Sequence, residues 1–273
     1  MPEGDTIARA GAALHRALAG AVVTAFDTGL AGLARVDDDT PITGRTIEAC
    51  TAHGKHLLLR FSGGLTLRTH MRMHGSWHLY RPGERWQRPA RAMRIRIDTA
   101  AWVAVAFDVP VAEFVRDADL VRHRPLATLG PDLADPAFDR DAAAARLVAA
   151  ADRPIGEALL DQRVAAGIGN VLRSEVLFLC RLHPQRPVVS VGEAGLIAAL
   201  DTAARLIQRN ARPEAGPARN TTGRAAPGEA LWVYGRTGRP CRRCGTPIRS
   251  AVPGLDGRRV YWCDTCQPAP PGR

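Results

Sequence analysis

Apolar positions recur with two different periods along the chain, and the switch between them divides it. From Asp5, the stretch DTIARAGAALHRALAG sets Ile7, Ala10, Leu14 and Leu18 at helical spacing, with Asp5 or Thr6 as N-cap and Gly20 as terminator. Short apolar runs follow: AVVTAF, HLLLRF, LTLRTHM, SWHLYR, MRIRIDT and AWVAVAF. Turn signals separate them, such as SGG at Ser62 to Gly64 and RPGE at Arg81 to Glu84. MRIRIDT alternates strictly, and the spacing of the runs predicts an antiparallel sandwich or barrel rather than βαβ units.

Around RHRPLATLGPDLADP, residues 122–136, three prolines and a glycine interrupt regular structure, and the strand pattern stops. Four helices are predicted beyond it, over FDRDAAAARLVAAA, PIGEALLD, NVLRSEVLFLC and EAGLIAALDTAARLIQRN; the first, third and fourth carry 3.6-residue stripes. Residues 211–230, ARPEAGPARNTTGRAAPGEA, are polar and rich in Gly and Pro, so a mobile loop is expected. No solenoid repeat is present. The boundaries implied are 1–125 for a strand-rich domain, 126–234 for a helical one and 235–273 for a small cysteine-bearing one.

Composition agrees with a folded protein of this size. The 273 residues are 46% hydrophobic and 23% charged, and no window approaches the roughly 18 apolar residues needed to span a bilayer. The start is polar and acidic, with no secretory signal, so a cytoplasmic location is expected. Basic residues outnumber acidic ones 37 to 27, a net charge of +10, which favours a polyanionic partner. An arginine-biased genome explains part of this excess. The same bias isolates Lys55 in HGKHLLL, because it is the single lysine of the chain. A compact ammonium kept among arginines points to a tight phosphate or imine site.

Three motifs carry chemistry. Cys241-x2-Cys244 and Cys263-x2-Cys266, 18 residues apart, have the spacing of a four-thiolate zinc site, one structural Zn2+ per chain with no open coordination position. The segment from Arg236 to Arg273 holds eight Arg against two acidic residues, so its surplus charge faces a partner. AAGIGNVLRSEVLF puts Gly167, Gly169 and Asn170 before an amphipathic helix, where bare backbone amides can approach an anion. At the start, MPEGDT would leave Pro2 with a free secondary amine, a nucleophile, beside Glu3 once Met1 is trimmed. Cys50 and Cys180 lie in apolar contexts and are expected to be buried thiols. The histidines form no trusted ligand spacing and are expected to be structural or phosphate-facing.

MPEGDTI, Lys55 in a turn, LGPD, GIGNVLRSE and GRPCRRCGTPI…GRRVYWCDTCQ together resemble the formamidopyrimidine-DNA glycosylase / endonuclease VIII family along essentially the whole chain. The resemblance implies an α+β protein: an antiparallel β-sandwich with a leading helix, a helix–two-turn–helix domain and a C-terminal zinc-finger hairpin. It implies a monomeric, nucleoid-associated enzyme that acts on damaged DNA, duplex or bubble, without a membrane. Pro2 is then the nucleophile at C1′, Glu3 handles the proton of sugar opening, and Lys55, Asn170 and Arg258 hold phosphates. Arg258 is preferred over Arg259 because it stands five positions before Cys263. Arg72, Met73 and His74 would fill the gap left by an extruded nucleotide. A Schiff base on Pro2 would lead to β- and then δ-elimination.

Two departures refine this. AFDVPVAEFVR lacks the arginine pair of the purine-acting members, and the short NTTGRAAPGEA replaces their purine-capping loop. Both favour the endonuclease VIII branch and oxidised pyrimidines, whereas WVYGRTGRPC is wording of the purine branch. The family also places an acid where this chain has Thr6; here Asp5 carries it, turned by about 100° on a helix start, and a capping role is expected for it. The residues alone leave other readings open: an abasic-site lyase or a non-catalytic DNA-binding protein with weak base excision, a purine-preferring glycosylase, an isomerase using Pro2 as base, or a lyase using Lys55 as the amine.

Overall fold

The alternation of MRIRIDT is kept on folding: Ile95, Ile97 and Thr99 are buried, while Arg94, Arg96 and Asp98 reach toward solvent. The computed structural model describes residues 2–216, 218–253 and 257–270. The chain divides into two compact units, one of Pro2 with Thr6–Thr128 and one of Glu3–Asp5 with the residues from Leu129 onward.

In the first unit, β1 (Val23–Thr28), β6 (Met93–Thr99), β7 (Val103–Phe107) and β5 (Ser76–Tyr80) form one four-stranded antiparallel sheet in that order. A second consists of β2 (Ile47–His53), β3 (His56–Phe61), β4 (Leu65–His70) and β8 (Val111–Arg116). One core joins them: Val23, Ile95, Ile97 and Ala104 from the first sheet meet Ile47, Leu57, Leu59, Phe61 and Leu67 from the second. Leu14 and Leu18 of the leading helix α1 (Gly4–Leu18) close it. This is the expected sandwich. Every residue of β7 is buried, because Ala104 and Ala106 enter this core while Val103, Val105 and Phe107 pack with Tyr80 on the other face. A strand covered on both sides has no reason to alternate.

Three elements escape the hydrophobic pattern. In β2 the register slips between Ile47 and Ala49, and a bulge of this kind breaks the two-residue period. β8 is an edge strand that is mostly half-buried. Helix α2 (Ala31–Asp39) buries only Leu33, so it shows no stripe.

The second sheet carries a polar cluster. Arg68, nearly fully buried, donates from Nε to Glu113 at 2.6 Å and shares a 2.7 Å bond with His56 Nδ1; His123 Nε2 lies 3.0 Å from the same carboxylate. The rings of His56 and His70 meet edge-on at 4.9 Å. Burial, helped by neighbouring His70 and Arg68, pushes His56 from an ordinary 6.5 down to about 3. Burial, helped by Arg72 and Lys55, pushes His70 down to about 4. Cys50 is buried as expected, its thiol pushed up to about 12 by desolvation, whereas Cys180 is only half-buried.

After α3 (Asp117–Leu120) and α4 (Arg124–Ala127), the second unit contains α5 (Arg140–Val148), α6 (Ile155–Ala158), α7 (Asn170–Leu179) and α8 (Glu193–Ala211). Leu147, Leu159, Leu172, Val176, Leu200 and Ile207 are among the residues of their shared core. A smaller cluster of Phe178, Val233, Cys241, Ile248 and Cys263 ties the end of α7 to the hairpin of β9 (Arg249–Ala251) and β10 (Val260–Trp262). The segment 211–230, expected to be mobile, is bonded to the helices at its middle. Asn210 grips the backbone of Asn220 from both sides, at 2.7 and 3.0 Å, and Arg209 donates to the same carbonyl at 2.6 Å.

His56 and His70 are held neutral in the fold at a pH where the unfolded chain is protonated. The unfolded state therefore binds more protons between about pH 6.5 and 4, and stability falls as pH is lowered through that window. Thermal unfolding at stepped pH should show the midpoint dropping there, with the slope reduced in His56→Gln; a flat profile would contradict the buried neutral imidazoles.

Candidate active site

Helix α7 begins after Gly169, which has no side chain with which to cap it. A residue from the far end of the chain does so instead. The carboxylate of Glu3, fully buried, accepts the N–H of Val171 at 2.8 Å on Oε1 and that of Leu172 at 3.0 Å on Oε2. A helix N-terminus presents unpaired N–H groups and the positive end of its dipole, so an acidic side chain seated there gives those donors their partners. The sequence predicted that this glycine turn admits an anion; the anion seated there is Glu3.

The glycines are needed for steric reasons. A Cβ on Gly169 would lie 2.3 Å from Glu3 Cδ, and one on Gly4 would lie 2.8 Å from the Cα of Gly167. Gly4 N–H donates to the Gly167 carbonyl at 2.9 Å, and Gly167 has φ +113°, a backbone conformation that other residues rarely adopt.

The polar residues of α7 are buried and bonded. Asn170 donates from Nδ2 to the Arg259 carbonyl at 2.9 Å and accepts from the Arg173 guanidinium at Oδ1. Arg173, fully buried, also donates to the carbonyls of Arg258 at 3.3 Å and Gly156 at 3.4 Å. Glu175 accepts the N–H groups of Trp232, Val233 and Tyr234 at 2.8, 2.9 and 2.9 Å, and the hydroxyl of Thr221. One helix thus fixes the start of the chain, the WVYG turn and the strand leading into β10. Arg258 is exposed, while Arg259 donates to Ser250 Oγ at 3.1 Å within the hairpin. Residues 254–256 of that hairpin lie outside the described residues, as does Met1.

Asp5 is 2% exposed and lies inside the first turn of α1. Its two oxygens receive a fork from the Arg219 guanidinium, whose Nη1 is also 3.7 Å from Glu3 Oε2. Asp5 is thus half of a buried ion pair rather than only a cap. Nothing in the pattern around Arg219 marks it as functional; the displaced acid at Asp5 is the one signal of a missing partner.

In the first unit, Lys55 occupies the two-residue turn Gly54-Lys55 between the paired His53 and His56. Gly54 has φ +58° and Lys55 does not share it, as in II′ hairpins with Gly first. Lys55 is close enough to His70 to oppose its protonation. Nδ1 of His70 accepts the Arg72 N–H at 3.1 Å, which leaves its proton on Nε2. Arg72, Met73 and His74 form an exposed tip between β4 and β5; Met73 is 51% exposed and Arg72 has φ +51°. Pro2 is half-buried and directly precedes Glu3.

The sulfurs of Cys241, Cys244, Cys263 and Cys266 all lie within 4.8 Å of one another, near enough to share one metal ion. No described helix is long and apolar enough to cross a membrane.

Residues 1–109 match a family model described as the formamidopyrimidine-DNA glycosylase N-terminal domain, and residues 129–220 one described as the formamidopyrimidine-DNA glycosylase H2TH domain. The chain is 46% identical to a Streptomyces coelicolor protein named probable endonuclease 8 2, covering 100% of this chain and 96% of that one. It is 37% identical to a Mycolicibacterium smegmatis protein named DNA-(apurinic or apyrimidinic site) lyase Nei2, covering 98% and 100%. Among solved structures, the complex of Lactococcus lactis Fpg with DNA containing an abasic site is similar in fold, with a TM-score of 0.82, 21% identity and coverage of 98% and 100%.

Gly169→Ala forces a methyl into the Glu3 carboxylate, and overpacking of this kind costs about 1–3 kcal/mol. Denaturant unfolding should show that loss in Gly169→Ala and not in Gly32→Ala, where nothing lies within 4 Å and the backbone is not left-handed. An undisturbed Gly169→Ala midpoint would mean that Glu3 does not sit on this helix end.

Proposed function

The chain belongs to the formamidopyrimidine-DNA glycosylase / endonuclease VIII family, and we propose that within it the protein excises oxidised pyrimidines and cleaves the resulting abasic site through an imine on Pro2. The observation that carries this reading is the buried carboxylate of Glu3, seated on a helix N-terminus directly beside Pro2.

A base inside a duplex is out of reach, so the nucleotide must leave the stack at a cost of a few kcal/mol. The exposed tip of Arg72, Met73 and His74 is suited to filling the vacated space, an apolar side chain between two cationic or polar ones. With Met1 removed, the neutral amine of Pro2 attacks C1′, and the glycosidic bond breaks with its electron pair leaving on the base. Glu3 takes the proton released by the amine and passes it to O4′ as the sugar opens, leaving an iminium between Pro2 and C1′. The iminium acidifies the C2′ proton. Its loss expels the 3′ phosphate, and a second elimination expels the 5′ phosphate.

Lys55 is assigned to a backbone phosphate, as are Asn170 and Arg258. For Asn170 the role is partly structural, since its amide already ties the Arg259 carbonyl to α7. Two features support the pyrimidine branch. The connection between β7 and β8 is only Asp108 to Pro110, too short to insert a loop into the opposite strand, and the segment after α8 is drawn onto the helices at Asn220.

We assign the four cysteines to one structural Zn2+. Zinc–thiolate bonds of about 2.3 Å place tetrahedral sulfurs about 3.8 Å apart. Cys241 and Cys266 have their sulfurs 4.0 Å apart and Cys244 and Cys263 3.4 Å apart, which fits that geometry. With four thiolates the coordination is closed, so zinc supplies fold stability and holds Arg258 in place. Elemental analysis should find one zinc per chain, and Cys244→Ser should lose it together with most affinity for DNA.

Borohydride trapping on an abasic-site duplex should survive Lys55→Ala weakly and vanish in Pro2→Gly or in protein with an N-terminal extension. A trap that depends on Lys55 and ignores Pro2 would overturn the mechanism. In a panel of thymine glycol, hydroxyuracil and 8-oxoguanine duplexes, excision should be faster for the pyrimidines; faster release of 8-oxoguanine would move the protein to the purine branch.

A further inference from the structure

Glu3 and Asp5 stand two residues apart, both are buried, and both are acids. Two carboxylates in one dry place repel each other and lose hydration, so their burial requires compensation. For Glu3 the N-terminus of α7 provides part of it; Asp5 lies in the first turn of α1 and takes both arms of a guanidinium fork. The cation between them is Arg219, whose side chain is 11% exposed and forks onto both oxygens of Asp5 while approaching Glu3 to 3.7 Å. Contacts with Asp5, Glu3 and Glu175 raise its pKa further despite burial, so it is charged at any working pH.

The backbone that carries Arg219 is itself immobilised. The next residue, Asn220, is gripped by Asn210 and Arg209 of α8, and Thr221 after it binds the carboxylate of Glu175 and donates its N–H to the Ala230 carbonyl at 2.8 Å. The guanidinium is therefore delivered to the acids by a clamped strand of chain rather than by a loose surface loop. A planar fork with two fixed bonds to Asp5 has no rotational freedom left, and it holds its remaining nitrogen at ion-pair distance, 3.7 Å, from Glu3 Oε2.

We propose that Arg219 is a positioning residue for Glu3, and that Asp5 is the carboxylate that holds Arg219 for this task. The inference rests on the proposed role of Glu3 in proton transfer at the sugar. The acid that moved to Asp5 is thus not idle: it acts on the reaction through a guanidinium supplied by the segment after α8. Because that segment follows the helix directly, anything that shifts it shifts the proton handler too.

Single-turnover excision from a thymine glycol duplex and cleavage of an abasic duplex, with duplex affinity and thermal unfolding measured in parallel, test this. Arg219→Met and Asp5→Asn should each slow the chemical step roughly 10- to 100-fold with affinity for the duplex within about twofold. Because the two side chains act as one unit, the double variant should be no slower than the slower single variant. If Arg219→Met does not fold, Arg219→Lys keeps the charge and loses the fork, so a slowed step at an unchanged unfolding midpoint supports the proposal. Wild-type rates in Arg219→Lys and Arg219→Met, or losses that multiply in the double variant, overturn it. A wild-type protein that neither excises nor forms a trapped imine would instead refute the underlying reading of Glu3.

Discussion

The second unit depends on the burial of charge along helix α7. Its N-terminus takes the carboxylate of Glu3 from 168 residues away, and its interior buries Arg173 and Glu175 completely. Buried ions are tolerated only when nearly every lone pair and proton has a partner. Here the partners are backbone groups of otherwise irregular chain: the carbonyls of Gly156 and Arg258, and the N–H groups of Trp232, Val233 and Tyr234. Apolar side chains such as Val233 and Ile155 pack these segments against the helices. The charges of α7 satisfy the backbone groups that irregular chain leaves unpaired, which explains why a helix with a clear apolar stripe is also so polar on its other side.

The same principle connects fold to chemistry. A carboxylate that must give and receive a proton has to be fixed within a fraction of an ångström, and a terminal residue is ordinarily the least fixed part of a chain. Glu3 escapes that fate through two N–H bonds and a nearby guanidinium. The glycines at Gly4, Gly167 and Gly169 allow the backbones to come close enough for this. Their contribution is the absence of a side chain, and each is matched to a neighbour from a distant part of the sequence.

Much of this was legible in the sequence. The alternation of MRIRIDT, the stripe of α8 and the turn at Ser62 to Gly64 report local physics, and each appears where its pattern placed it. The cysteine spacing likewise places four sulfurs in one cluster. What could not be read was set by contacts without a period. The bulge in β2 disguises a strand, and Leu33 alone cannot mark α2 as a helix. Arg219 is hidden most deeply: it is one of 36 arginines, and nothing local in its polar, glycine-rich stretch marks it as the one paired with Asp5. Its identity depends on Asp5, more than two hundred residues earlier.

The lone lysine has a practical corollary. Apart from the terminal amine, the chain offers amine-reactive reagents a single side-chain target, at the turn between β2 and β3. A reagent with that chemistry would mark two known positions, the terminal amine and this turn, without engineered cysteines, whose introduction would compete with the four-sulfur cluster. An arginine-rich composition has in this way concentrated the amine chemistry of the protein on two places, so that protection from labelling reports what occupies them.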